Sequence, residues 1–139
     1  MNSKRIGNIG EVKALCKFVE MGIPCYIPYG DNEKSDLIAE FNGGLKRIQI
    51  KTSYKCGNEK IIFSINSSSY HRGGTNHFYT KEEVDYFVLY NIESDKIFLV
   101  PIERCFANNQ FTIRLKKAKN GQIKNINFYE DFSFENMIS

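Results

Sequence analysis

Over Leu45–Tyr54 apolar and polar residues alternate, with Ile48 and Ile50 on one side and Gln49 and Lys51 on the other. That period of two predicts a strand with one buried face. Leu37-Ile38-Ala39-Glu40-Phe41 reads as the strand before it, and Asn42-Gly43-Gly44 between them is a strong hairpin turn signal. Nearer the start, Ile9, Val12, Leu15, Cys16 and Val19 recur at spacings of three and four. They predict a helix over about 6–21, buried along that stripe. Asn8 or Ser3 is its expected cap, and Gly22 followed by Pro24 its stop.

The remaining pattern is mostly extended. Cys25-Tyr26-Ile27 lies between prolines, as an edge strand would. Lys60–Ile65 is a further strand, and the polar stretch from Asn66 to His77 reads as a long binding-type loop. Thr80-Lys81-Glu82-Glu83 has the form of a capping box and predicts a helical turn. Tyr86–Ile92 is a continuous apolar run, expected as a central strand buried on both sides. Lys96–Val100, closed by Pro101, is another strand, and Ile102–Ala107 a short helix. Weaker strands are expected at Phe111–Leu115 and Ile123–Phe128, then a terminal helical turn from Phe132.

At 139 residues, with 42% apolar and 25% charged residues, the chain suits one soluble domain, residues 1–139, with one core. Its apolar runs are far shorter than the ~20 residues that cross a bilayer. No secretory signal follows the positive start, so a cytoplasmic setting is expected. Cys16, Cys25, Cys56 and Cys105 form no C-x-x-C pair and are expected as reduced thiols. Only His71 and His77 lie near one another, which argues against zinc.

Net charge is only +3, but the cations are clustered. Lys46, Arg47, Lys51, Lys55 and Lys60 fall together, and Arg114, Lys116, Lys117, Lys119 and Lys124 form a second group. Such segments suit a polyanion, although solvated strand faces look the same.

The candidate chemistry lies in Asp36 at the mouth of one strand and Gln49-x-Lys51 on the next, with Glu11 on the edge of the helix stripe. Hard divalent cations such as Mg²⁺ take oxygen ligands. Asp36 and Glu11 offer carboxylates, Gln49 an amide oxygen and Ile50 a main-chain carbonyl. Lys51 beside them can orient a nucleophile and stabilise charge building on a phosphodiester. From Asp36, Gln49 and Lys51 alone, a turn cap and a solvated strand face account for the pattern equally well.

The order of segments adds more. Gly7-Asn8-Ile9-Gly10-Glu11, Ser35-Asp36-Leu37, Ile48-Gln49-Ile50-Lys51-Thr52, Val84-Asp85-Tyr86-Phe87-Val88 and Ile97-Phe98-Leu99-Val100-Pro101 resemble the PD-(D/E)XK nuclease superfamily. The likeness in length and order is to the small homing endonucleases of group I introns and to Holliday junction resolvases. It implies an α/β fold, a mixed and mainly four-stranded central sheet flanked by helices. It also implies metal-associated carboxylates at Glu11 and Asp36, and a catalytic lysine at Lys51. Ser35 stands where the motif has Pro, and Gln49 replaces the usual acid, removing one negative charge from the metal shell. The intron-encoded branch tolerates Gln there, which favours a homing enzyme over a resolvase. The expectation is a Mg²⁺- (or Mn²⁺-) dependent endonuclease of double-stranded DNA, acting as a homodimer or homotetramer. Lys34, Arg47, Thr52, Ser53, Tyr54, Lys55 and Arg72 are its candidate DNA contacts. The alternatives are a junction resolvase and a DNA-binding module without catalysis.

Overall fold

The computed structural model describes residues 1–30, 35–66, 78–105, 108–117 and 126–139. The predicted hairpin is present as β2 (Leu37–Phe41) and β3 (Gly44–Ser53), paired antiparallel. Its turn takes Asn42 and Gly43 into positive φ, 50° and 84°, the combination a tight two-residue hairpin turn requires. β1 (Cys25–Tyr26) lies on the outer edge of β2, as its flanking prolines anticipate. The apolar run is β5 (Tyr86–Asn91), which pairs parallel with β3, and β6 (Lys96–Pro101) returns antiparallel beside it. The sheet order is β1-β2-β3-β5-β6. The expected mixed sheet is present, with the two-residue β1 as a fifth strand. β4 (Lys60–Ser64) leaves this sheet and forms an antiparallel ribbon with β7 (Gln110–Arg114).

The sheet is covered on both sides. Ile48, Ile50, Val88, Leu37 and Leu99 pack with Ala14, Phe18 and Phe134 under helix α1 (Ser3–Glu20). Phe87, Leu89, Phe98 and Val100 face the other way, against Ile61, Phe63, Phe111 and Ile113 of the ribbon. β3 is therefore not a strand with one wet face: Gln49 is only 9% exposed.

Helix α1 differs from expectation in cap and in orientation. Asn2 caps it, its side chain accepting from the Arg5 N–H at 2.9 Å, so Asn8 lies inside the helix and Ser3 is its first residue. The face turned to the sheet is Gly10, Ala14 and Phe18, whereas Val12 and Val19 of the predicted stripe are 67% and 61% exposed. Close approach selects this face. A Cβ at position 10 would collide with Thr52 Oγ1 and stand 3.0 Å from Thr52 Cβ, so only glycine lets α1 sit on β3. Lysines fasten its flank: Lys13 pairs with Asp95 at 3.3 Å and Lys17 with Glu135 at 2.8 Å.

The capping box at Thr80 closes a turn, with Glu83 Oε1 accepting from the Thr80 N–H at 3.1 Å. The helix expected after Pro101 is a single 3-10 turn, Ile102–Arg104. A second 3-10 turn, Tyr129–Phe132, and helix α2 (Phe134–Met137) supply the expected helical terminus. Of the weak strand at 123–128, residues 126–128 are described, and Phe128 makes one bridge to Arg114. The long loop beyond Asn66 lies outside the described residues. No described helix is long and apolar enough to cross a membrane.

Candidate active site

Where β2 begins, its side chain takes over from its backbone. The Asp36 N–H donates to Ile48 O at 2.8 Å, and the Asp36 carboxylate accepts from the Ile50 N–H at 3.0 Å. Asp36 is thus locked to β3 beside Gln49 and Lys51. Across the gap, the Gly10–Thr52 contact brings the first turns of α1 over the same spot, and with them Glu11. These elements enclose a cleft of about 820 Å³ whose lining includes Glu11, Asp36, Gln49, Ile50 and Lys51. All four residues expected to be catalytic, and the expected metal set, share this one cavity. A second groove, about 650 Å³ over Tyr26, Ile38 and Leu45, contains none of them.

Burial disfavours charge throughout the cleft. Burial pushes the Asp36 carboxyl up, against the opposing pull of the Ile50 N–H and Lys51. Burial also raises Glu11, and the negative charge of Asp36 raises it further. Lys51 moves down because its ammonium is desolvated, only partly offset by Asp36. Each charge is thus less stable here than in water, which is common where chemistry is done. Two carboxyls both raised by burial, next to an amide and a carbonyl, are a donor set that a hard divalent cation would relieve. Among the described residues no three His, Cys, Asp or Glu side chains group as a metal cage. The set therefore fits a cation only if Gln49 or a main-chain oxygen joins the two carboxylates.

Lys51 is held from two sides. Its Nζ donates to Asn66 O at 2.7 Å and lies 5.2 Å from the centre of the Tyr79 ring. Neither partner was among the predicted catalytic residues. Asn66 follows β4 and Tyr79 precedes β5, so only the folded topology brings them to Lys51. Asn66 also lines the cleft, and among the described residues its buried Oδ1 has no hydrogen-bond partner. Ser3, Lys4, Ile6 and Gly7 at the start of α1 form a further wall that spacing arguments did not reveal.

The expected DNA contacts divide. Thr52 and Tyr54 line the cleft, and Tyr54 and Lys55 are exposed beyond it. Ser53 is tied inward: its Oγ accepts from Asn91 Nδ2 at 2.9 Å, and Asn91 is fully buried. Arg47 is also tied inward. Its Nε donates to Asp85 Oδ2 at 3.0 Å and its second terminal nitrogen to Asp85 Oδ1 at 3.1 Å and Lys81 O at 2.8 Å. The other terminal nitrogen donates to Glu82 O. Each guanidinium nitrogen thus has a partner inside the chain, so Arg47 clamps β3 to the segment before β5 while its side chain stays 38% exposed. Lys34 and Arg72 lie outside the described residues.

Residues 1–135 match the family model described as PD-(D/E)XK endonuclease. No curated protein matches the chain. Among solved structures it is similar to that of a bacterial homing endonuclease, I-Ssp6803I. The TM-score is 0.70 at 22% identity, covering 89% of this chain and 84% of that one. At that identity the likeness speaks for the fold alone. With nearly its whole length matched by the family model, the chain belongs to the PD-(D/E)XK endonuclease family.

Proposed function

We propose that this protein is a single-domain, divalent-metal-dependent endonuclease that hydrolyses phosphodiester bonds of double-stranded DNA in the cytoplasm, as a site-specific homing enzyme does. The observation that carries the reading is the convergence of Glu11 from α1, Asp36 from the start of β2 and Lys51 from β3 on one cleft where burial disfavours all three charges. Glu11, Asp36, the Gln49 amide oxygen and the Ile50 carbonyl would hold Mg²⁺ or Mn²⁺. When bound, such an ion polarises a phosphoryl oxygen and makes water a stronger nucleophile at neutral pH.

The chain's own residues do the rest. Lys51, steadied by Asn66 O and the Tyr79 ring, presents its remaining N–H groups to the charge that builds on the scissile phosphate. Asp36 holds its orientation through the Ile50 N–H, so the acidic side of the cleft does not have to reorganise during reaction. Tyr54 and Lys55 at the mouth, with Lys4 on the helix, suit backbone phosphates. Gln49 favours one rival, a DNA-binding module without catalysis, because the neutral amide lowers the charge available to a metal.

The test offers a plasmid carrying the intron insertion site and a four-way junction side by side, each with Mg²⁺. The expected result is cutting of the duplex, reduced at least about 100-fold by Asp36→Ala and by Lys51→Ala. Preferential cutting of the junction would replace homing with resolution. Salt-sensitive binding without cutting, unchanged by Gln49→Glu, would establish the silent module. Cutting that survives both alanine substitutions would remove the site assignment.

A further inference from the structure

The most apolar stripe of α1 points away from the sheet. Val12 is 67% exposed, Val19 61% and Leu15 37%, with Cys16 exposed among them. At about 100° per residue, Arg5, Ile9, Val12, Cys16, Val19 and Glu20 share one face. The chain's own ion pairs avoid that face: Lys13 and Lys17, which bind Asp95 and Glu135, lie on its flank. Among the described residues, Arg5 and Glu20 at its two ends have no ion-pair partner.

We propose that this face is a homodimer interface, in which α1 packs antiparallel on α1 of a second copy across a two-fold axis between Val12 and Lys13. Charge selects the occupant and the direction. Arg5 and Glu20 lie equally far from that axis, so each meets the second copy's opposite charge, while Ile9 meets the second copy's Cys16. A parallel pairing would set Arg5 against Arg5 and Glu20 against Glu20. A patch complementary to itself is what an isologous contact uses. One helix pair buries less than the ~1,200–2,000 Å² of a stable interface, so association in the micromolar range is expected. Glu11 adjoins Val12, so the pairing joins two clefts in one particle. That consequence, two sites for two strands, rests on the endonuclease reading; the interface itself does not.

Sedimentation velocity of the full chain up to about 100 μM tests it. A reversible monomer–dimer equilibrium is expected, with Val12→Glu plus Val19→Glu weakening association at least about tenfold and leaving the melting temperature unchanged. Arg5→Glu or Glu20→Arg alone should weaken the dimer, and both together should restore it. Val12→Cys in a Cys16→Ser background should give a disulfide-linked dimer on mild oxidation. A chain monomeric at the highest concentration overturns the proposal, as does a dimer indifferent to the two glutamates or a charge swap that fails to recover. No arm reads cleavage: a dimer that never cuts DNA would remove the nuclease reading alone, and a cutting monomer the interface alone.

Discussion

Arg47 and Lys51 stand on the same face of β3, one full turn of the pleat apart twice over, yet their surroundings are opposite. Arg47 has a carboxylate and two carbonyls arranged around its guanidinium. The Asp85 hydrogen bond, larger than the desolvation that opposes it, raises Arg47. Burial pushes Asp85 up, but the bonds from Arg47 outweigh it and leave Asp85 below the usual carboxyl range. Lys51 has one carbonyl, one ring and a buried setting that destabilises its charge. The same strand thus carries a cation that holds the fold together and one whose charge its burial disfavours. Charge and position in the sequence do not tell them apart; the number of acceptors around each does.

The largest expected effect breaks the functional end. Lys51→Met should cost at least about 3 kcal/mol of transition-state stabilisation, seen as loss of cleavage in single-turnover assays, with no fall in melting temperature. At the other end, Arg47→Met should lower stability by about 2 kcal/mol in urea melts while folded protein still cuts. That loss should shrink in acid. Because Asp85's folded pKa is depressed, the pair's stabilisation is present above the ordinary carboxyl pKa and disappears as pH falls through the depressed value.

Two smaller changes sharpen the contrast. Gly10→Ala forces α1 off Thr52 and should cost about 1–3 kcal/mol of stability, with cleavage reduced further because Glu11 moves with the helix. Thr52→Ala in the same chain should recover part of both, measured by melting and by cleavage rate. Asp36→Asn should abolish cutting yet raise the melting temperature at neutral pH by a few degrees, since it removes a buried charge while keeping an acceptor for the Ile50 N–H. Asp36's pKa is raised in the fold, so its ionisation costs stability as pH climbs through that value. The advantage of the variant should therefore vanish below the ordinary carboxyl pKa.

How much of this was legible depended on range. The hairpin, its Asn42-Gly43 turn and the placing of Asp36 beside Gln49 and Lys51 are encoded within a short stretch by alternation and turn chemistry, and the structure has them there. Helix α1 was legible as a helix but not in its orientation. Counting apolar residues selects Val12 and Val19, whereas close packing selects Gly10 and Ala14 for being small. Arg47's partner is Asp85 and Lys51's supports are Asn66 and Tyr79, pairings created by the parallel β3–β5 ladder and the β4–β7 ribbon. No local pattern announces them, and a cation on a strand reads as solvent-facing until its neighbours are known.

The parallel pairing of β3 with β5 has a consequence in time. Asp36, Gln49 and Lys51 are synthesised early, but β3 gains its second neighbour only when residues 86–91 have been made and have crossed back to it. Until then Lys51 lacks the ring of Tyr79 and the sheet lacks its centre. Long-range parallel pairing of this kind forms slowly. A ribosome-bound chain of this protein therefore carries Asp36, Gln49 and Lys51 well before the sheet beneath them is complete, and the site waits on a strand that contributes none of the candidate residues.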